Sequence, residues 1–232
     1  MTRILIVRTS AIGDVVFASA LPGAIRRAHP DAHIAWLVEP GIHELLLADP
    51  DIDEVITWSK AEWVKLWKSG RRLELLGRVR ALRRELHARR FDMALDLQGL
   101  MKSGFLTWLS GAPRRVGLGS KEGSQLLMSE VIPRGGEQAR IGSEYKYLAE
   151  QLGFDAGDFL PTLKVAPDAE ASVLGKLAAH GLAPVFADHR AHARRGRGDE
   201  QGQHKADDHR AQHQAGRRDA NLAHHNQRNA LV

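Results

Sequence analysis

Arg3-Ile4-Leu5-Ile6-Val7-Arg8-Thr9-Ser10-Ala11-Ile12-Gly13-Asp14-Val15 is the stretch from which the fold can be read. Four consecutive aliphatic residues, Ile4 to Val7, leave no polar face, as a strand covered on both sides of a sheet requires. A turn containing Gly13 follows, then a helix from Asp14 to about Ala28, whose Ala18, Leu21, Ile25 and Ala28 step by three and four along one face. Strand, short turn and helix in this order open a parallel crossover unit.

The same alternation recurs downstream. Strands are expected at His33 to Val38, Glu54 to Trp58, Phe91 to Leu97 and Arg115 to Leu118. Between and after them, Arg71 to Arg90 carries Leu75, Val79, Leu82 and Leu86 on one helical stripe, and shorter helices are expected up to Ser110, from Ser143 to Leu152 and from Pro167 to His180. The predicted fold is therefore α/β: a Rossmann-like, doubly wound parallel sheet with helices on both faces, carried by residues 1–182.

Beyond residue 182 the pattern stops. From Ala183 to Val232 only Val185, Phe186, Leu222, Leu231 and Val232 are large apolar residues. So little apolar surface cannot offset the entropy of ordering a backbone, about 1–2 kcal/mol per residue, and residues 183–232 are expected to be a disordered tail. Seven of the twelve His lie there, mixed with Arg, Gln, Ala and Asp without period, as a GC-rich reading frame gives when it is misread. His209 with His213 and His189 with His192 have the spacing of metal-ligand pairs on a helix, but no scaffold fixes a third ligand, so no metal site is expected.

The whole chain holds 33 Lys and Arg against 28 Asp and Glu, a formal charge of +5, and no Cys. Disulfide scaffolds, thiolate metal sites and thiol nucleophiles are thereby excluded, and a reducing compartment is expected. The apolar run at the N-terminus is too short for a secretory core or a membrane span, so the expected location is the cytoplasm.

In a doubly wound sheet, ligands meet the loops beyond the carboxyl ends of the strands. The first such loop runs from Arg8 to Asp14. Its Gly13 permits close backbone approach, and Asp14 reads either as a helix N-cap or as a carboxylate able to take a proton from a substrate hydroxyl. With a single glycine, the loop lacks the dinucleotide fingerprint, which weighs against a nicotinamide-dependent oxidoreductase. The second loop, Asp96-Leu97-Gln98-Gly99-Leu100-Met101-Lys102-Ser103, offers Gln98 and Lys102 to a sugar and an anionic group, or is a strand-to-helix turn with a solvated Lys. The third feature is Lys60 to Arg90, where three Lys and eight Arg face only three Glu and are interleaved with Trp63 and Trp67. An anionic, amphipathic partner such as phosphorylated lipid would suit it, as would a polynucleotide. Alternatively it is a solvated helix laced by Glu74 with Arg78 and Glu85 with Arg89, its tryptophans serving the core.

Three segments, Ile4 to Val15, Asp96 to Ser103 and Gly117-Leu118-Gly119-Ser120-Lys121-Glu122, together resemble glycosyltransferase family 9, and among its members the heptosyltransferases of lipopolysaccharide core synthesis. The resemblance implies the acceptor-binding N-terminal half of a two-domain GT-B fold, and an inverting, metal-independent transfer of heptose from ADP-heptose to a Kdo sugar of lipid A. It implies no cofactor, and action at the cytoplasmic face of the inner membrane through peripheral contact. Asp14 stands at the family's catalytic aspartate. Arg8, Thr9, Ser10, Gly13, Gln98, Lys102 and Lys121 are the implied acceptor contacts, with Lys121 standing where relatives carry Arg and so lacking the bidentate fork. Lys60, Lys65, Lys68, Arg71 and Arg72 form the implied basic acceptor surface. No specific nucleic-acid partner is expected.

Relatives would begin a second, donor-binding domain near Pro184; this sequence is expected instead to be diverted or frameshifted there, and inactive alone. A non-enzymatic polyanion-binding module built on Lys60 to Arg90 is the rival expectation. Reading the gene after codon 182 in its other two frames should recover a strand and helix pattern; two featureless frames would dismiss the frameshift.

Overall fold

The computed structural model describes residues 1–137, 140, 142–161 and 163–182. The expected tail and its histidine pairs therefore lie outside the described residues. Contacts divide the chain into two compact units, Met1–Ser172 and Val173–Val232. The sheet and the candidate site belong to the first.

In chain order the elements are β1 (Arg3–Val7), α1 (Ile12–Ala18), α2 (Ala20–Ala28), β2 (His33–Val38), β3 (Glu54–Thr57), α3 (Lys60–Lys68), α4 (Arg72–Ala88), β4 (Met93–Asp96), α5 (Met101–Leu109), β5 (Arg114–Leu118), β6 (Glu130–Ile132), α6 (Ser143–Gln151) and α7 (Pro167–Ala179). Short 3-10 turns at Pro40–Leu45 and Ser124–Leu127 complete them. Among the described residues six strands form one wholly parallel sheet in the order β3-β2-β1-β4-β5-β6. This is the doubly wound arrangement, and β1 at its centre pairs Ile6 with Trp36 on one side and with Leu95 on the other.

Two cores follow from the two-residue period of the strands. Ile4 and Ile6 point, with Ile34, Trp36 and Leu95, into a core closed by α1, α2 and α6 through Val15, Leu21, Ile25, Tyr145 and Leu148. Leu5 and Val7 point the other way, with Leu37, Ile56 and Ala94, against Leu82 and Leu86 of α4 and Leu106 and Leu109 of α5. The aliphatic run thus lacks a polar face because neither face of β1 meets water.

The structure departs from the sequence pattern at one place and adds to it at two. The first helix starts at Ile12 rather than Asp14, so Gly13 sits inside its opening turn, and it breaks at Ser19 before α2. Residues 60–68 form a separate helix, capped by the Ser59 hydroxyl accepting from the Glu62 N–H at 3.2 Å. Strand β6 is an additional short edge, held by Glu130 pairing with Arg114 at 3.0 Å and burying only Ile132.

Two close contacts tie strand ends together. The fully buried Trp36 donates its Nε1–H to the Arg8 carbonyl at 3.2 Å. Gly99 has φ +69°, and a Cβ there would stand 2.6 Å from the Leu118 carbonyl oxygen and 2.9 Å from that of Gly119. Trp36→Phe leaves the buried Arg8 carbonyl without its donor and should cost about 1–3 kcal/mol in denaturant unfolding. Gly99→Ala should cost more than the roughly 1–3 kcal/mol of the left-handed backbone alone, because two main-chain oxygens must also move; an unchanged melting temperature would contradict the close approach.

Candidate active site at the sheet's switch point

β1 and β4 are neighbours in the sheet although β2 and β3 separate them in sequence. The chain leaves β1 toward α1 on one face and leaves β4 toward α5 on the other. The two loops diverge, and the crevice between their strand ends is where a doubly wound sheet receives its ligand. Arg8 to Asp14 and Leu97 to Lys102 are these two loops.

Arg8 is the first residue past β1, and its side chain is 7% exposed. Its Nη1 donates to the Leu97 carbonyl at 2.9 Å, and its Nη2 pairs with Asp14 Oδ2. One guanidinium therefore spans both loops. Asp14 Oδ2 also accepts the Ala11 N–H at 3.3 Å, so the carboxylate closes the opening turn of α1. Oδ1 has no hydrogen bond among the described residues, and the side chain is 48% exposed. The result is a carboxylate fixed through one oxygen and open through the other. Gly13, beside it, is exposed with no atom within 4 Å of where a Cβ would stand. Arg8, expected as an acceptor contact, is buried and pairs with Asp14.

Across the crevice, the Thr9 hydroxyl donates to Gln98 Oε1 at 3.0 Å, linking two of the predicted residues directly. Lys102 extends its Nζ to 3.5 Å from Ser10 Oγ and 3.6 Å from Glu39 Oε1. Its pKa is lowered by burial, assisted by the neighbouring Lys60 and Arg8 charges and opposed by Glu39. Thr9, Ser10, Gln98 and Lys102 thus converge with Arg8 and Asp14. Lys121 is exposed in the loop after β5, where its backbone N–H donates to the Gly99 carbonyl at 2.8 Å, and its side chain has no ion pair among the described residues.

Four neighbours carry this arrangement without having been singled out from the sequence. Asp96, fully buried, accepts the N–H groups of Gln98 and Gly99 at 3.0 Å through Oδ1 and so shapes the turn. Burial raises its pKa, against the pull of those two hydrogen bonds, Ser103 and Arg8. Glu39 follows β2, donates its N–H to the Thr9 carbonyl at 3.1 Å and pairs with Lys102. Arg134 donates to the Gln98 carbonyl at 3.2 Å and pairs with Glu144. Tyr145, buried in α6, has a hydroxyl pushed up to about 12 by burial, with Arg8 opposing. Glu39 could have been flagged by position alone, as an acidic residue at the carboxyl end of an apolar strand.

The basic segment divides. Arg71 pairs with Glu74, Arg78 with Glu62 at 3.0 Å and Arg89 with Glu85 at 3.2 Å, so the expected Glu74–Arg78 pair is replaced by one that ties α3 to α4. Lys60, Lys65 and Lys68 have no carboxylate partner within 4 Å among the described residues. Trp58 is buried, Trp63 half-buried and Trp67 61% exposed; only part of this aromatic set serves the core. Among the described residues no three His, Asp or Glu side chains gather as a metal site would need, and no helix is long and apolar enough to cross a membrane.

Residues 79–185 match glycosyltransferase family 9 (heptosyltransferase), a span that takes in both Gln98 to Lys102 and Gly117 to Glu122. Lipopolysaccharide heptosyltransferase 1 of Pseudomonas aeruginosa is 32% identical over 133 residues, which are 57% of this chain and 36% of that protein. The chain spans about a third of the length of the curated relatives it matches. In fold, it is similar to a family 9 glycosyl transferase from Veillonella parvula, with a TM-score of 0.67 at 21% identity over 79% of this chain and 51% of that one. Escherichia coli heptosyltransferase WaaC, solved with ADP-2-deoxy-2-fluoro heptose, gives 0.60 at 22% identity over 81% and 70% of the two chains. Motifs, sheet order and the match over residues 79–185 agree in what this chain is similar to: glycosyltransferase family 9.

Proposed function

We propose that residues 1–182 are the acceptor-binding half of a lipopolysaccharide core heptosyltransferase. The reaction moves heptose from ADP-heptose to a Kdo hydroxyl of lipid A, with inversion and without a metal. The observation that carries this reading is the Asp14 carboxylate, anchored by Arg8 and the Ala11 N–H through Oδ2 and open through Oδ1 at the switch-point crevice.

Asp14 Oδ1 accepts the proton of the acceptor hydroxyl as that oxygen attacks the anomeric carbon. The bond from that carbon to the ADP oxygen breaks, and the pair of electrons leaves with the diphosphate. Attack from the face opposite the leaving group inverts the centre. Arg8 acts through Asp14: by holding Oδ2 it aims Oδ1, and a fixed base is worth more than a rotating one. Gln98 and Lys102 meet the acceptor's hydroxyl and anionic groups, Thr9 orients Gln98, Ser10 steadies Lys102, and exposed Lys121 extends the positive rim. Gly13 leaves room beside the base. The protein works at the cytoplasmic face of the inner membrane, its basic α3 and α4 surface facing acceptor phosphates. The donor is bound by chain outside residues 1–182.

Unpaired Lys60, Lys65 and Lys68 also favour the rival, a polyanion-binding module without chemistry. That rival gives the Arg8–Asp14 pair no task; it requires steeply salt-dependent binding of unrelated DNA.

Joined to a family 9 donor-binding half, the Asp14→Asn variant should lose about 10²–10⁴-fold in heptose transfer while binding a Kdo-lipid A analogue as tightly as the parent in calorimetry. Undiminished transfer would remove Asp14 from the chemistry.

A further inference from the structure

Lys102 borders a second concavity. Between α3, α4 and α5 lies a groove of about 440 Å³, within the range of small-molecule sites. Trp63, Val64 and Trp67 of α3, Leu75 and Val79 of α4 and Phe105 of α5 line it. Trp67 is 61% and Val64 41% exposed, so the groove leaves apolar surface in water, as binding sites do. Its mouth is cationic. Lys60 and Lys102 both line it, their like charges oppose each other, and the Lys102 ammonium lies 5.8 Å from the Trp58 ring centroid, with Ser10 of the Asp14 loop and the Glu39 carboxylate, at 3.6 Å, as its other neighbours; Lys60 has no carboxylate within 4 Å among the described residues. The groove is thus continuous with the switch-point crevice through one side chain.

The occupant can be argued by exclusion. Nucleobases stack on open ring faces, but Trp58 and Trp63 meet edge to face at 5.3 Å and the Trp67 face is covered by the Arg72 guanidinium at 5.2 Å. A second copy in a two-fold contact would bring the unpaired Lys60 and its cationic surroundings against themselves. The remainder of this chain, residues 183–232, has nine Lys and Arg against six Asp and Glu and few large apolar residues, so it complements neither the walls nor the mouth. What fits both is a flexible hydrocarbon chain ending in an anion.

We propose that the α3–α4–α5 groove holds one hydrocarbon chain of a phosphorylated amphipath, with the phosphate between Lys60 and Lys102 and the polar remainder directed to the Asp14 loop. The assignment rests on the transferase reading and deepens it: the acceptor is gripped by its lipid part as well as by its sugar.

The test uses dodecyl phosphate below its micelle concentration, titrated into the full chain and read by tryptophan fluorescence. A saturable blue shift with one site per chain is expected. Val64→Glu, at a half-exposed position where folding should persist by circular dichroism, should weaken binding at least 10-fold, and Lys60→Gln about 3- to 10-fold. Dodecyl maltoside, with a neutral head, should bind at least 5-fold more weakly than the phosphate. An equal response to inorganic phosphate, an unchanged Val64→Glu titration, a response that never saturates, or sedimentation as a dimer that blocks the probe would each overturn the proposal. Because the probe carries no sugar, saturable binding by a chain that, joined to a family 9 donor-binding half, transfers no heptose would refute the transferase alone. Transfer to an acyl-free acceptor without probe binding would refute the groove alone.

Discussion

A single buried guanidinium holds the candidate site together. Arg8 leaves β1 at the point where the sheet's winding reverses, and its two nitrogens reach the backbone of one diverging loop and the carboxylate of the other. Burying a cation is costly unless it is paired and hydrogen-bonded. Here the pairing fixes Asp14 in turn, so the stability of the loop junction and the aim of the carboxylate are one requirement. Removing either partner leaves the other without its ion pair at the loop junction.

That junction depends on the layers beneath it. β1 is buried on both faces, so Arg8 emerges from a strand that cannot rotate or slip without exchanging two apolar cores. Trp36 clamps the Arg8 carbonyl from β2, Asp96 shapes the opposing turn from β4, and Gly99 lets the β5 loop close over it. Rigid strand ends carrying polar side chains on short loops are what a site needs when a reacting hydroxyl must meet a fixed base. The softer part of the surface lies elsewhere, in the helices that follow β3, where apolar rings and unpaired lysines are left facing solvent.

Much of this was legible in the chain itself because the dominant signals are local. Ile4 to Val7 and His33 to Val38 declare buried strands by having no polar face, and Leu75 to Leu86 declare a helix by period. Asp14 was legible as a candidate because it combines a helix start with the end of the first strand. What escaped notice depends on partners distant in sequence. Glu39, Arg134 and Tyr145 acquire meaning only when the sheet brings them to Lys102, Gln98 and Arg8. Arg8 looked free because its charge was visible and its burial was not. The Glu74–Arg78 pairing failed for a similar reason: Glu62, on a helix not foreseen, lies closer to Arg78. The helix signal there was present in Ser59-Lys60-Ala61-Glu62, a capping pattern overshadowed by the basic and aromatic residues around it.

If the proposed function holds, the switch-point crevice is where the acceptor sugar is received. Mapping amide chemical shifts as an acyl-free Kdo phosphosugar is titrated into the chain examines this most directly. Changes concentrated at residues 8–14 and 98–103, and weakened when Arg8 can no longer hold the two loops together, are the predicted result. A titration that leaves those amides still and perturbs only the outer face of α4 would contradict it.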